Sequence, residues 1–390
     1  MPATDRAPVA LALGGLFSLA AAMGIGRFVY TPILPFMTDG LSMSAGDAGL
    51  IASANFLGYL VGALAGASSF LAGSPRAWFL GGLAVSALTS AAMAMTDVLS
   101  AFVVIRFVSG MASAFVLVFS TTLVLERLTE AGRGSLSSVH FAGVGCGIAF
   151  SALLIASLGQ MSLDWKTMWL ASGAATAVFL LVAAVLVPAK EASSITASTM
   201  APDANGSSFV INGDLIRLIL AYGLFGFGYV ITATFVSTIA RSTADLAPVE
   251  QYVWLAVGIS AAPSIYIWNR IASAIGLRRA FAVACLLESA GVALTAVTTN
   301  QVFFLAGAAL LGGTFMGITA LGLMEARRLA SPAGPAAIRK MLAILTASFG
   351  LGQVAGPWIA GQLHAMTGSF QTASLAAAGA LVVSALLVVR

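Results

Sequence analysis

Long apolar runs, punctuated by charge, glycine or proline, fill almost the whole chain. They fall at 9–36, 45–72, 77–96, 99–127, 136–158, 165–187, 214–240, 249–272, 279–298, 301–326, 338–363 and 370–389. A helix needs about 20 apolar residues to cross the hydrocarbon core of a bilayer. The pattern therefore predicts an all-α polytopic membrane protein of twelve transmembrane helices joined by short loops. Ser44 before AGDAGL and Asp97 before VLSAF read as helix N-caps. The first run has the outline of a signal peptide, with Arg6 ahead of it and Ala20-Ala21-Ala22 within it. It continues to Met37, so it reads as an uncleaved first span.

Composition narrows the class further. The 390 residues are 59% hydrophobic and only 8% charged, with a mean hydropathy of +1.00. A soluble domain carries about 25% charged residues. The chain is too apolar to be disordered. It is also too poor in basic residues for a nucleic-acid partner, despite a pI near 9.3. Its partner is the lipid bilayer. With both termini in the cytoplasm, fourteen of the eighteen basic residues lie on the cytoplasmic side, two (Lys166 and Arg241) lie outside, and Arg27 and Arg106 lie within spans. That asymmetry predicts a multi-pass protein of the bacterial inner membrane with this orientation. Cys146 and Cys285 sit inside apolar runs and read as small core residues.

The longest polar stretch, 188–213, is rich in Ser, Ala and Thr and reads as a flexible cytoplasmic linker. It divides the chain into an N-terminal bundle, 1–187, and a C-terminal bundle, 214–390. The halves look alike. GIGRFVYTPILP begins at Gly24 and GFGYVITATFVS begins at Gly226, while GVGCGIAFSA in the fifth run resembles GLGQVAGPWIAG in the eleventh. Such a parallel duplication predicts two pseudo-symmetric six-helix bundles.

On these residues, with RFVSGMASA, DWKTMW and YGLFGFGYVITATF, the chain resembles the major facilitator superfamily and, more closely, its YbfB/YjiJ-type bacterial subfamily. The resemblance covers essentially the whole chain. It implies an alternating-access secondary transporter, with helices 1, 4, 7 and 10 lining a central cavity, and it implies no substrate. Three departures stand out. The superfamily's cytoplasmic loop signature keeps only Arg76 after helix 2. After helix 8 it keeps Asn269, Arg270, Gly276, Arg278 and Arg279, with the acidic member missing in both places. The helix 5 antiporter motif ends in Gly-Pro, whereas here Ile148 follows Gly147.

Arg27 and Arg106 are the residues most costly to place in lipid, at about 2.5–3.5 kcal/mol or more each. Both fall on the outer side of the midplane at similar depth, on helices that the resemblance makes neighbours. A carboxylate or phosphate held between the two guanidiniums would remove their repulsion. The alternative is that backbone carbonyls satisfy both, those loosened around Gly24, Gly26 and Pro32 in the case of Arg27. Tyr30 and Thr31 share the helix face of Arg27, and Tyr229 holds its position in the second half. Asn55, Tyr59, Gln353 and Trp358 are further mid-span candidates for substrate contact, or else interhelical hydrogen-bonding groups. Glu288, the acid nearest the centre of a span, and His140 are candidates for proton coupling. For Glu288 the alternative is a neutral carboxyl bonded to a neighbouring helix, and for His140 a helix-end position.

No Walker A lysine, HExxH or GxSxG occurs, and the two histidines lie far apart, so neither ATP drive, a catalytic site nor a zinc site is expected. The sequence thus predicts a non-enzymatic, cofactor-free, monomeric secondary transporter, proton-coupled, for a small organic anion. The alternatives are an exporter of amphipathic or drug-like compounds and a membrane sensor that has lost transport.

Overall fold

The computed structural model describes residues 3–68, 73–189 and 212–389. Most of the expected linker, along with Lys190 and Arg390, lies outside them. The described residues are almost entirely helical. We number the helices α1, Ala7–Leu41; α2, Ala45–Gly66; α3, Pro75–Met95; α4, Leu99–Glu130; α5, Gly134–Gln160; α6, Trp165–Leu186; and α7, Gly213–Ser242. After these come α8, Glu250–Ala261 resuming as Ser264–Ile275; α9, Leu277–Val297; α10, Gln301–Ala330; α11, Gly334–Thr367; and α12, Gln371–Val389.

By length and composition, ten helical stretches among the described residues are able to cross a membrane, against the twelve runs expected. Two local features account for the difference. Pro263 lacks a backbone N–H and splits the run 249–272 into two helices of 12 residues each, both shorter than a span. The runs 301–326 and 338–363 form one helical stretch of 67 residues. Within it a 3-10 turn, Ser331–Ala333, and Gly334 at φ +88° end α10 and start α11.

The start of α2 follows its sequence. The Ser44 hydroxyl accepts from the Asp47 amide and the Asp47 carboxylate accepts from the Ser44 amide, which closes a capping box. Asp97 does not cap α4. The residue ahead of that helix is Val98, and Asp97 pairs instead with Lys166 at 2.9 Å.

The outward faces are apolar. Leu88, Val104, Leu181, Val185, Val302 and Leu351 are all more than half exposed. Side chains of this kind belong in hydrocarbon, not water, and they mark the lipid-facing surface. Cys146 is exposed, contrary to its reading as a core residue, while Cys285 is buried.

Inside, helices approach closely where side chains are small. A Cβ on Gly58 would meet the Phe107 carbonyl, and one on Gly110 would meet the Asn55 carbonyl, so α2 and α4 pack backbone to backbone. Gly24 of α1 lies against Gly147 of α5 in the same way. Helix α2 packs on both α4 and α11, and α5 on both α1 and α8. The last part of α1, Tyr30–Leu41, packs against α7. Three seams, α2 with α11, α5 with α8 and α1 with α7, therefore join the helices before the linker to those after it.

Candidate functional site

The middle of α1 departs from α-helical geometry. Residues Ala20–Ile25 form a π-helix, with the Gly26 amide bonded to the Ala21 carbonyl at 2.8 Å and the Phe28 amide to the Met23 carbonyl at 3.1 Å. Such turns concentrate at functional sites. Past it, the Thr31 amide bonds the Phe28 carbonyl, so the Arg27 carbonyl loses its regular donor.

Arg106 of α4 fills that gap. Its Nη1 donates to the Gly26 carbonyl at 2.8 Å and its Nη2 to the Arg27 carbonyl at 2.7 Å, while the Ser109 hydroxyl also donates to Gly26. Asn55 of α2 donates in turn to the Arg106 carbonyl at 2.9 Å. The expectation that one anion bridges both guanidiniums is corrected here. Both terminal nitrogens of Arg106 are committed to backbone, and the arginine splices α4 to the loosened turn of α1.

Arg27 is placed differently. It is 3% exposed, and its Nη2 donates to the Gln353 side-chain carbonyl of α11 at 3.0 Å, while its Nε has no partner. The guanidinium carbon lies 3.9 Å from the ring centroid of Tyr59 and 4.8 Å from that of Phe56. Cation–π attraction of this kind is strengthened by desolvation. The Gln353 amide nitrogen donates to the Tyr229 hydroxyl of α7. Tyr229 in turn lies nearly parallel to Phe315, at 9°, and to Phe349, at 6°, with centroids 5.6 and 5.9 Å away. One face of the site is thus basic and the other a wall of stacked rings. Phe28, Phe56, Phe315 and Phe349 were not singled out in the sequence, where phenylalanine is too common to signal.

The remaining candidates divide. Tyr229, Tyr59 and Gln353 gather around Arg27. The Tyr30 hydroxyl donates to the Ala48 carbonyl at 3.0 Å, and the Thr31 hydroxyl to the Ala233 carbonyl of α7 at 2.6 Å. Both serve helix packing, as does Asn55. Trp358 is 50% exposed on the outer surface and takes no part in the site. His140 is fully buried near the start of α5, with its ring nitrogen 3.3 Å from the Ser120 hydroxyl. Glu288 is also fully buried, and neither carboxylate oxygen has a hydrogen-bond partner.

Polar bridges also cross from the first set of helices to the second. Asp39 pairs with Arg241 at 3.1 Å, Gln160 bonds Gln251 at 2.8 Å, and the Ser53 hydroxyl donates to the Val354 carbonyl at 2.7 Å. Phe36, Gln160, Arg241, Glu250 and Trp254 help line a cavity of about 280 Å³ beside the first two bridges. At the opposite end of the helices, Arg278 pairs with Asp214 at 2.6 Å and with Glu325 at 2.8 Å, and Glu325 also accepts from Arg328 at 2.7 Å. The acidic member missing from the loop signature is thus supplied by α7 and α10. Among the described residues no group of three or more His, Cys, Asp or Glu side chains could hold a metal ion.

The fold is similar to that of the nucleoside transporter NupG. Its crystal structure superposes with a TM-score of 0.75 at 17% identity, covering 98% of each chain. A point mutant of NupG superposes with a TM-score of 0.77 at 18% identity, covering 97% of this chain and 99% of that one. At this identity the likeness is one of fold. No curated protein matches the sequence. Residues 19–389 match the family described as the uncharacterised MFS-type transporter YbfB, and the chain belongs to that family of major facilitator transporters.

Proposed function

We propose that this transporter moves a small organic anion with a ring-bearing or apolar body, coupled to protons, by alternating access of residues 1–187 and 214–390 about the Arg27 site. Arg27 carries the reading. It is a deeply buried cation at the junction of α1, α2, α7 and α11, and it is held only by a neutral amide and by aromatic rings. A buried charge with so little compensation is stabilised by an anionic ligand. The ring wall of Tyr229, Phe315 and Phe349 suits the rest of the molecule.

The orientation with cytoplasmic termini, in the inner membrane as a monomer, belongs to this reading. It places the Asp39–Arg241 and Gln160–Gln251 bridges outside and the Arg278 cluster inside. The outer bridges cross between the halves, whereas the Arg278 cluster stays within one, which supports a state closed to the outside. Glu288 is the proposed proton site and is preferred to His140. Both are buried, but neither carboxylate oxygen of Glu288 has a partner, whereas the His140 ring is tied to Ser120.

Uptake into proteoliposomes under an imposed pH gradient, screened across aromatic and aliphatic carboxylates, tests this. Arg27→Gln should abolish uptake of the active anion and Arg27→Lys should weaken it, because lysine keeps the charge but loses the planar fork. Glu288→Gln should lose gradient-driven uptake while retaining substrate exchange. The stacked wall also favours a second reading, a planar neutral solute such as the nucleosides named for NupG. Nucleoside uptake that survives Arg27→Gln would select it.

A further inference from the structure

We infer that Gln353 is a built-in surrogate for the substrate. Its amide oxygen occupies the place on Arg27 that the anionic group of the substrate takes, and binding displaces it. The inference rests on the reading of Arg27 as the anion site.

Three observations carry it. The first is the chain of contacts. Arg27 of α1 donates to the Gln353 oxygen at 3.0 Å, and the Gln353 nitrogen donates to the Tyr229 hydroxyl of α7. Both ends of one amide are thus engaged, which fixes its orientation with the oxygen toward the cation. The second is burial. Gln353 is fully buried, and Arg27 and Tyr229 are 3% and 2% exposed, so water does not substitute for the amide. The third is incompleteness. The Arg27 Nε has no acceptor, and a carboxylate can engage two guanidinium nitrogens where one amide oxygen engages one.

A neutral acceptor holds a guanidinium more weakly than an anion does. The amide therefore keeps Arg27 in place without ligand and yields to one. The exchange has a mechanical side. Arg27 precedes the linker in sequence and Gln353 follows it, so replacing the amide by a ligand unfastens a mid-depth tie between α1 and α11 and frees the Tyr229 hydroxyl. Loading the site and loosening the two sets of helices become one event. Gln353 in this role is a positioning residue that sets affinity and selects for charge.

Binding of benzoate, with benzamide as the neutral control, to the purified full-length protein tests the inference. It is measured by calorimetry together with melting temperature in the absence of ligand. Gln353→Ala removes the competitor and leaves Arg27 bare. We expect a lower melting temperature without ligand and benzoate binding tightened at least threefold. Gln353→Glu supplies a stronger competitor, and benzoate affinity should fall at least tenfold with the melting temperature kept. Tyr229→Phe releases the amide nitrogen and should shift affinity in the direction of Gln353→Ala, though less, and it covers the case in which that variant does not fold. Weaker or unchanged benzoate binding in both Gln353→Ala and Tyr229→Phe overturns the surrogate role. Equal benzoate binding by Arg27→Gln and wild type, or no benzoate binding by wild type and Gln353→Ala alike, overturns the anion-site reading itself.

Discussion

Arg106 donates both terminal nitrogens to the carbonyls of Gly26 and Arg27, at 2.8 and 2.7 Å, and so holds the residue that bears the proposed binding cation. Removing a buried donor strands its acceptors at about 1–3 kcal/mol each. The Ser109 hydroxyl still serves the Gly26 carbonyl, so Arg106→Ala strands the Arg27 carbonyl and should lower stability by about 1–3 kcal/mol. A large fall in melting temperature and in yield of monodisperse protein checks this. Arg106→Lys should rescue only in part, because an ammonium lacks the fork that spans two adjacent carbonyls.

The Asp39–Arg241 pair is solvent-accessible, with side-chain exposures of 65% and 33%, so it contributes at most about 1 kcal/mol. Its weight is positional. Asp39→Asn should leave folding intact, whereas joining the two positions covalently should stop the cycle. Asp39→Cys with Arg241→Cys, in a background with Cys146 and Cys285 replaced, should lose transport on oxidation and regain it with reductant. Undiminished transport by the oxidised, cross-linked protein would show that this end does not open.

Glu325 is 2% exposed in its side chain and accepts from Arg278 and Arg328 together. Arg278 keeps Asp214 and Arg328 is more than half exposed, so neutralising Glu325 loses charge-assisted hydrogen bonds at about 1.5–3 kcal/mol and leaves no buried charge unpaired. Glu325→Gln should therefore destabilise the protein far more than Arg217→Gln, whose contact with Asp214 is 3.6 Å long and exposed. Thermal melts of the two variants side by side make the comparison.

Trp358 faces outward, so Trp358→Leu keeps an apolar side chain in an apolar environment. Uptake by this variant should match wild type within about twofold, consistent with the small effect of substitutions away from packed features. A large loss would place the indole against an undescribed partner or lipid.

What the sequence made legible follows from the range of each signal. Apolar runs report the solvent, and lipid leaves a mark on every residue that faces it, so the helical class was readable. Arg27 was readable because a cation inside a span is costly wherever it points. Arg106 was equally visible, with backbone carbonyls as one of its two expected partners; that these are the carbonyls of Gly26 and Arg27 depends on a π-helix that no apolar pattern encodes. Trp358 is a candidate from sequence as a mid-span amphipathic side chain, yet it faces outward. Which face of a long helix points inward is set by rotation against its neighbours, and sequence spacing leaves that free. The acids that complete the Arg278 cluster stand 64 and 47 residues away along the chain, on helices that only the fold brings together.

The π-helix of α1 holds one residue more than a regular turn. An α-helix advances by about 100° per residue, and the wider turn between Ala20 and Ile25 absorbs the extra residue, so the segment beyond it keeps the phase of a regular helix. Deleting a single alanine there would regularise the hydrogen bonding, remove no side chain that touches the site and leave Arg27 facing Gln353. What it would take away is slack in the backbone beside the carbonyls that Arg106 now serves. Within this short alanine run the count of residues, more than their identity, decides how open those carbonyls lie to a neighbouring helix.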